Sequence, residues 1–107
     1  MNDSSSNTPV LRSELSHETE MEDLIRMFVD EIPQRIQNFR CAWDRGNLDE
    51  VRRLAHQLKG AAPGYGFTPL GTSAGALESA LKQADHDLSA VRIEFKALIQ
   101  LCSRVAY

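Results

Sequence analysis

An amphipathic helix is encoded by residues 48–62, whose sequence is LDEVRRLAHQLKGAA. At about 100° per residue, the apolar side chains of this segment gather on one side of a helix. These side chains are Leu48, Val51, Leu54, Ala55, Leu58, Ala61 and Ala62. His56 points roughly 150° away from their mean direction, so we expect its ring to face water.

The exposed neighbours of His56 form a pattern that suits an anion. Arg52 and Arg53 lie on the preceding helical turn, and Lys59 and Gly60 lie on the following one. A glycine inside a helix costs about 1 kcal/mol relative to alanine, and its bare backbone lets another molecule come close to the imidazole. The three cations can each donate to an anion at the ring. The pattern predicts a site for a phosphoryl group, although a histidine on a polar helix face is more often a solvated residue without a function.

This segment resembles the histidine-containing phosphotransfer (Hpt) domain of bacterial phosphorelays and two-component signalling. The family motif of His, any residue, Leu, Lys and Gly is matched by His56, Leu58, Lys59 and Gly60. The resemblance implies that His56 is the phosphoryl acceptor and that Lys59 stabilises charge on the phosphoryl group.

The resemblance extends over about residues 21–101 of the chain. Gly66 looks like the family's glycine in the turn after the histidine helix, and Leu77-Glu78 is similar to its Leu-Glu pair on the next helix. Pro63 departs from the family pattern, where a small helix-compatible residue is usual. Because proline lacks a backbone donor and crowds the carbonyl four residues back, we expect the helix to kink or end near Ala62.

Four more helices are predicted on either side of this segment, over about residues 18–30, 33–45, 68–84 and 88–105. Pro33 separates the first two, because proline is tolerated in the first turn of a helix but not in its middle. Gly46 and Asn47 are a typical helix stop followed by a helix start. The apolar stripes and short connections predict an all-α fold, an antiparallel four-helix bundle with an additional short N-terminal helix capping one end.

The apolar stripes also define the expected core. The first predicted helix contributes a stripe that includes Leu24, and the last contributes a stripe that begins at Leu88. Phe67 is expected to plug one end of the bundle. Cys41 and Cys102 lie in apolar parts of two helices and are expected to be reduced core or near-core thiols.

The N-terminal residues differ in composition from the rest of the chain. Residues 1–9 are almost entirely polar, and residues 10–16 add a few apolar side chains that could lie over the bundle. We therefore divide the chain into a mobile or irregular tail, residues 1–16, and a helical bundle domain, residues 17–107. The initiating methionine and the polar tail favour a free-standing protein.

Charge and hydropathy exclude several classes of function. Twelve basic and fifteen acidic residues give a formal charge of −3, so overall charge does not favour nucleic acid or an anionic membrane surface. No apolar run approaches the roughly 20 residues that span a bilayer, and no secretion signal is visible, so we expect no membrane insertion and a cytoplasmic location.

The sequence shows no glycine-rich nucleotide loop with a lysine and no carboxylate cluster for Mg²⁺ beside His56. The resemblance implies a phosphocarrier. Without a nucleotide or metal site of its own, we expect it to be no enzyme, to have no cofactor and to rely on Mg²⁺ held by the partner. The implied partners are response-regulator receiver domains and a hybrid sensor histidine kinase. Two alternatives stay open: a binding module that docks receivers or a kinase without carrying phosphate, and a plain helical scaffold with an accidental motif.

Overall fold

The computed structural model describes residues 9–83 and 88–107. Within them the chain forms four α-helices: α1 (Glu22–Asp44), α2 (Leu48–Ala61), α3 (Thr68–Gln83) and α4 (Ser89–Cys102). One 3-10 turn, Thr19–Met21, precedes α1, and another, Ala62–Tyr65, follows α2. The predicted all-α four-helix bundle is confirmed. No helix among the described residues combines the length and apolar character needed to cross a membrane.

The predicted break at Pro33 is wrong, because α1 continues through it from Glu22 to Asp44. The short capping helix expected before Pro33 is the first half of α1. A proline inside a helix costs about 3 kcal/mol, whereas burying one large apolar side chain contributes roughly 1.5–3 kcal/mol. Phe28 and Ile32 before the proline and Phe39 after it are all buried on one face of α1. Their combined burial outweighs the cost of the proline.

The helices pack in antiparallel pairs. His56 near the middle of α2 contacts Glu78 of α3, whereas Pro63 beyond the end of α2 lies against Gly71, earlier in α3. On the other side of the bundle, the Trp43 ring of α1 stacks on Phe95 of α4 at 4.3 Å. Arg26 near the start of α1 lies over the Tyr107 ring, beyond the end of α4. The two helices of each pair, α2 with α3 and α1 with α4, therefore run in opposite directions.

The core is a single cluster of buried side chains that includes Phe67, as expected. Three predictions about burial are wrong: Leu24 and Leu88 are each 42% exposed, and Cys41 is exposed. Cys102 is buried, and burial raises the pKa of its thiol to about 12. The last residue of the helix predicted over 68–84, the predicted break before α4 and the polar residues 1–8 lie outside the described residues.

Residues 9–16 form an irregular segment across one end of the bundle, which we call the N-terminal strap. Leu11 makes an isolated parallel bridge with Val105, close to the C-terminus. Ser13 is buried, and its hydroxyl donates to the Tyr65 carbonyl at 2.7 Å. The Glu14 amide donates to the Gly66 carbonyl at 2.8 Å. The strap thus holds the turn that follows α2.

Candidate functional site

The helix that carries His56 has well-defined ends. The Asn47 side chain accepts from the Glu50 amide at 3.2 Å and caps the first turn. The helix ends at Ala61 and tightens into the 3-10 turn that contains Pro63, as the sequence predicted. Three α2 side chains are fully buried and fix the rotation of the helix, and the His56 side chain is consequently 71% exposed. These buried side chains are Val51, Ala55 and Leu58.

The His56 ring is held by a buried carboxylate of α3. Its Nδ1 atom lies 2.8 Å from Oε2 of Glu78, whose side chain is only 5% exposed. Lys59 donates to the other carboxylate oxygen, Oε1, at 3.2 Å. The ammonium of Lys82 lies 3.8 Å from Oε2. One carboxylate therefore connects the histidine with two lysines.

The hydrogen bond from Lys59 lowers the pKa of Glu78 below its ordinary value of 4.5, and the contacts with His56 and Lys82 act in the same direction against the opposing effect of burial. Glu78 is therefore ionised at neutral pH and can only accept hydrogen bonds. Because Nδ1 faces this acceptor, the proton of the neutral ring resides on Nδ1. The lone pair of Nε2 then points away from Glu78 and is free to act as a nucleophile.

The family model of the Hpt domain matches residues 23–106, which is most of the chain. The chain belongs to the Hpt domain family. Searches of curated proteins and of solved structures gave no significant match. Hpt domains are histidine phosphotransfer modules of phosphorelays, phosphocarriers rather than enzymes, and they interact with response-regulator receivers and kinases.

Three glycines shape the site of this Hpt domain. A Cβ added at Gly60 would meet nothing within 4 Å, so the surface one turn after His56 is open. Gly75 of α3 lies beside the stem of Lys59, and a Cβ added there would make an ordinary van der Waals contact with Cδ of Lys59, at 3.5 Å. Gly66 ends the turn after α2 with a φ of 86°, in the left-handed region. The predicted role of Gly66 in turn geometry agrees with this conformation, and access across Gly60 stays a prediction.

The two arginines predicted to assist docking differ in their surroundings. Arg53 donates from Nε to Glu50 Oε1 at 2.8 Å, and this pair raises the pKa of Arg53 and lowers that of Glu50. Arg52 makes no ion pair with any described residue. Arg52 is thus the freer of the two for binding an acidic partner.

An open cleft of about 490 Å³ lies beside the histidine, between α2 and α3. Its walls are formed by Asp49, Arg52, Arg53, His56, Gln57, Glu78 and Lys82. Cations therefore lie on both walls of this cleft, Arg52 and Arg53 on α2 and Lys82 on α3. Within the described ranges, no group of three His, Cys, Asp or Glu residues is arranged to hold a metal ion.

The sequence singled out His56 and the neighbouring cations, but it did not reveal the contact that orients the ring. Glu78 was noted only through its likeness to the family's Leu-Glu pair, and Lys82 was not singled out. Their spacing of four residues on α3 places them on one helix face, which is a signal available from the sequence. That this face of α3 borders His56 follows only from the packing of α2 against α3.

Proposed function

We propose that this Hpt domain carries phosphoryl groups between receiver domains in a His-Asp phosphorelay. Nε2 of His56 takes the group from the aspartyl phosphate of one receiver and passes it to the aspartate of another. The observation that carries the proposal is the exposed His56 ring whose Nδ1 is held by the buried carboxylate of Glu78. A surface histidine without a function needs no such buried acceptor.

The transfer step follows from this geometry. The Nε2 lone pair attacks phosphorus, a P–N bond forms, and the P–O bond to the receiver's aspartate breaks, so the aspartate leaves as a carboxylate. The proton on Nδ1 stays in place, and the ring gains a positive charge that the Glu78 carboxylate stabilises. Return of the phosphoryl group to a second receiver reverses these changes.

Lys59 has two roles in this proposal. Its bond to Oε1 keeps Glu78 ionised and oriented, and its half-exposed ammonium adds positive potential near the transferring group. Both oxygens of Glu78 are already engaged by His56 and lysine, so we place the Mg²⁺ that such transfer uses on the receiver and assign no cofactor to this chain.

We further propose that a hybrid sensor histidine kinase supplies the phosphoryl group. A cytoplasmic location is inferred from the two free cysteines, Cys41 and Cys102, which suit a reducing compartment.

The test is incubation with a receiver that has been phosphorylated beforehand. We expect acid-labile, base-stable phosphate to appear on the wild-type protein and to be absent from His56→Gln, while far-UV circular dichroism shows the same helical content. His17→Gln is the matched control, because the His17 side chain is 74% exposed and the His56 side chain 71%. Phosphate on His56→Gln would show that the site is misassigned. Binding of the receiver without transfer would support the non-transferring module instead.

A further inference from the structure

We propose that Lys82 is a second phosphoryl-binding residue, which leaves Glu78 and binds the phosphoryl group once His56 has accepted it. The inference rests on the proposed carrier function. It starts from one oxygen atom, Oε2 of Glu78, which lies 2.8 Å from Nδ1 of His56 and 3.8 Å from Nζ of Lys82. The histidine and Lys82 thus share an acceptor before transfer.

The two lysines hold Glu78 with different strengths. Lys59 makes a hydrogen bond to Oε1 at 3.2 Å. Lys82 approaches Oε2 only at 3.8 Å, beyond hydrogen-bond length, and its side chain is 59% exposed. Because the Lys82 ammonium is in contact with water and makes no hydrogen bond to the carboxylate, this ion pair contributes little stability. Lys82 can therefore leave Glu78 at low cost, whereas Lys59 is better placed to stay.

Phosphoryl transfer changes the balance of charge around Lys82. The ring that attacks is the neutral form, since its Nε2 lone pair is the nucleophile, and Lys82 supplies positive charge at Oε2. After the step the ring itself is positive at that oxygen, and a phosphoryl group with roughly two negative charges is bonded to Nε2. The attraction of Lys82 for Glu78 falls and its attraction for the phosphoryl group rises.

The position of Lys82 allows this change of partner. It lines the same cleft of about 490 Å³ as His56, on the α3 wall, and Arg52 lies on the α2 wall. Lys82 lies one helical turn after Glu78 on α3, and its ammonium is carried by a long, flexible side chain. The Lys82 ammonium already lies near Oε2 of Glu78, the acceptor of the His56 ring, so a phosphoryl group bonded to that ring would be within its reach.

The decisive measurement is the titration of the phosphoryl group by ³¹P NMR. Phosphoramidate can load His56 chemically, so the measurement needs no receiver. A cation bound to the phosphoryl oxygens favours the dianion, and Lys82→Ala should raise the apparent pKa of the phosphoryl group by roughly 0.5 unit. Lys82→Arg should restore the wild-type titration. Lys96→Ala is the control, since it removes one exposed lysine charge from α4, on another face, where it lines a groove with Phe95 and Ile99.

Transfer kinetics give the second readout. Lys82→Ala should lower kcat for transfer about three- to tenfold with little change in KM, as expected for one charge-assisted contact at an exposed site. An unchanged ³¹P titration would overturn the inference, whether or not the variant melts earlier. A rise in KM alone would also overturn it, because Lys82 would then bind the receiver and not the phosphoryl group. Failure of the wild-type protein to accept phosphate from a receiver would refute the carrier function and is a separate result.

Discussion

Substitution of Gly66 by alanine tests how the strap and the turn after the histidine helix depend on each other. The φ of 86° at Gly66 is left-handed, which costs a residue with a Cβ about 1–2 kcal/mol. The new Cβ would also lie 2.9 and 3.0 Å from the amide nitrogens of Leu15 and Glu14, and closer still to the Ser13 hydroxyl. Forcing the strap aside should add about 1–3 kcal/mol.

The expected loss for Gly66→Ala is therefore about 2–5 kcal/mol in the free energy of unfolding. Since 1 kcal/mol shifts the melting temperature of a domain of this size by about 4–8 °C, the variant should melt at least about 8 °C lower. Thermal unfolding followed by circular dichroism measures this directly. Phosphate acceptance per folded molecule should stay unchanged, because Gly66 does not contact His56.

Gly46→Ala is the matched control for this experiment. Gly46 also has a left-handed φ, 69°, but a Cβ there would meet nothing within 4 Å. It should lose only the backbone term of about 1–2 kcal/mol. Equal losses in the two variants would show that the strap gives way freely, and the close approach of Ser13 and Leu15 to Gly66 would then have no energetic importance.

Further outcomes are expected for variants at four places around the site. Gly60→Ala should raise the melting temperature slightly, because alanine is favoured in helices by up to about 1 kcal/mol. Gly60→Leu should instead slow phosphoryl transfer without unfolding the protein. Wild-type transfer rates for Gly60→Leu in a stopped-flow assay would mean that the partner approaches elsewhere. Lys59→Ala should reduce the transfer rate severalfold and lower the free energy of unfolding by no more than about 1 kcal/mol. Arg52→Ala should weaken receiver binding more than Arg53→Ala, and mainly at low salt. An equal or reversed order of the two arginine variants, in binding titrations at two salt concentrations, would contradict the assignment of Arg52 as the freer cation. The pKa of Glu78 is lowered on folding, so the stability that its charge contributes is complete above the ordinary pKa of 4.5 and is lost as pH falls through the lower pKa of the folded state. The difference in melting temperature between wild type and Glu78→Gln should therefore be constant at neutral pH and shrink in acid. A difference that does not depend on pH would refute an ionised Glu78.

Much of the histidine helix could be predicted because its determinants are local. Asn47 can cap the first turn only through residues three positions away, and Pro63 acts on the carbonyl four residues back. The apolar stripe of α2 has the period of a helix, so the direction of His56 followed from counting residues. The structure agrees with each of these predictions.

The errors arose where distant parts of the chain compete with a local preference. Pro33 is a helix breaker by itself, yet the burial of Phe28 and Phe39 on one face keeps α1 continuous. Leu24 fits the stripe of α1 but lies near its start, and it is 42% exposed. Periodicity gives the direction of a side chain from its own helix and does not say whether another helix extends far enough to cover it.

The sequence by itself determined the all-α class, the limits of the histidine helix, the exposure of His56 and the presence of a turn after that helix, because each depends on residues within a few positions. Only the tertiary structure decided that Glu78 accepts the hydrogen bond from Nδ1 of His56 and that Lys59 and Lys82 both contact this carboxylate. The tertiary structure likewise decided that Ser13 packs against Gly66. These contacts join residues that are far apart in the chain, 22 positions for His56 and Glu78 and 52 for Ser13 and Tyr65. Their partners are chosen by the register in which α2 packs on α3 and by the path of the strap, and that register is set by the burial of the whole core rather than by any one segment.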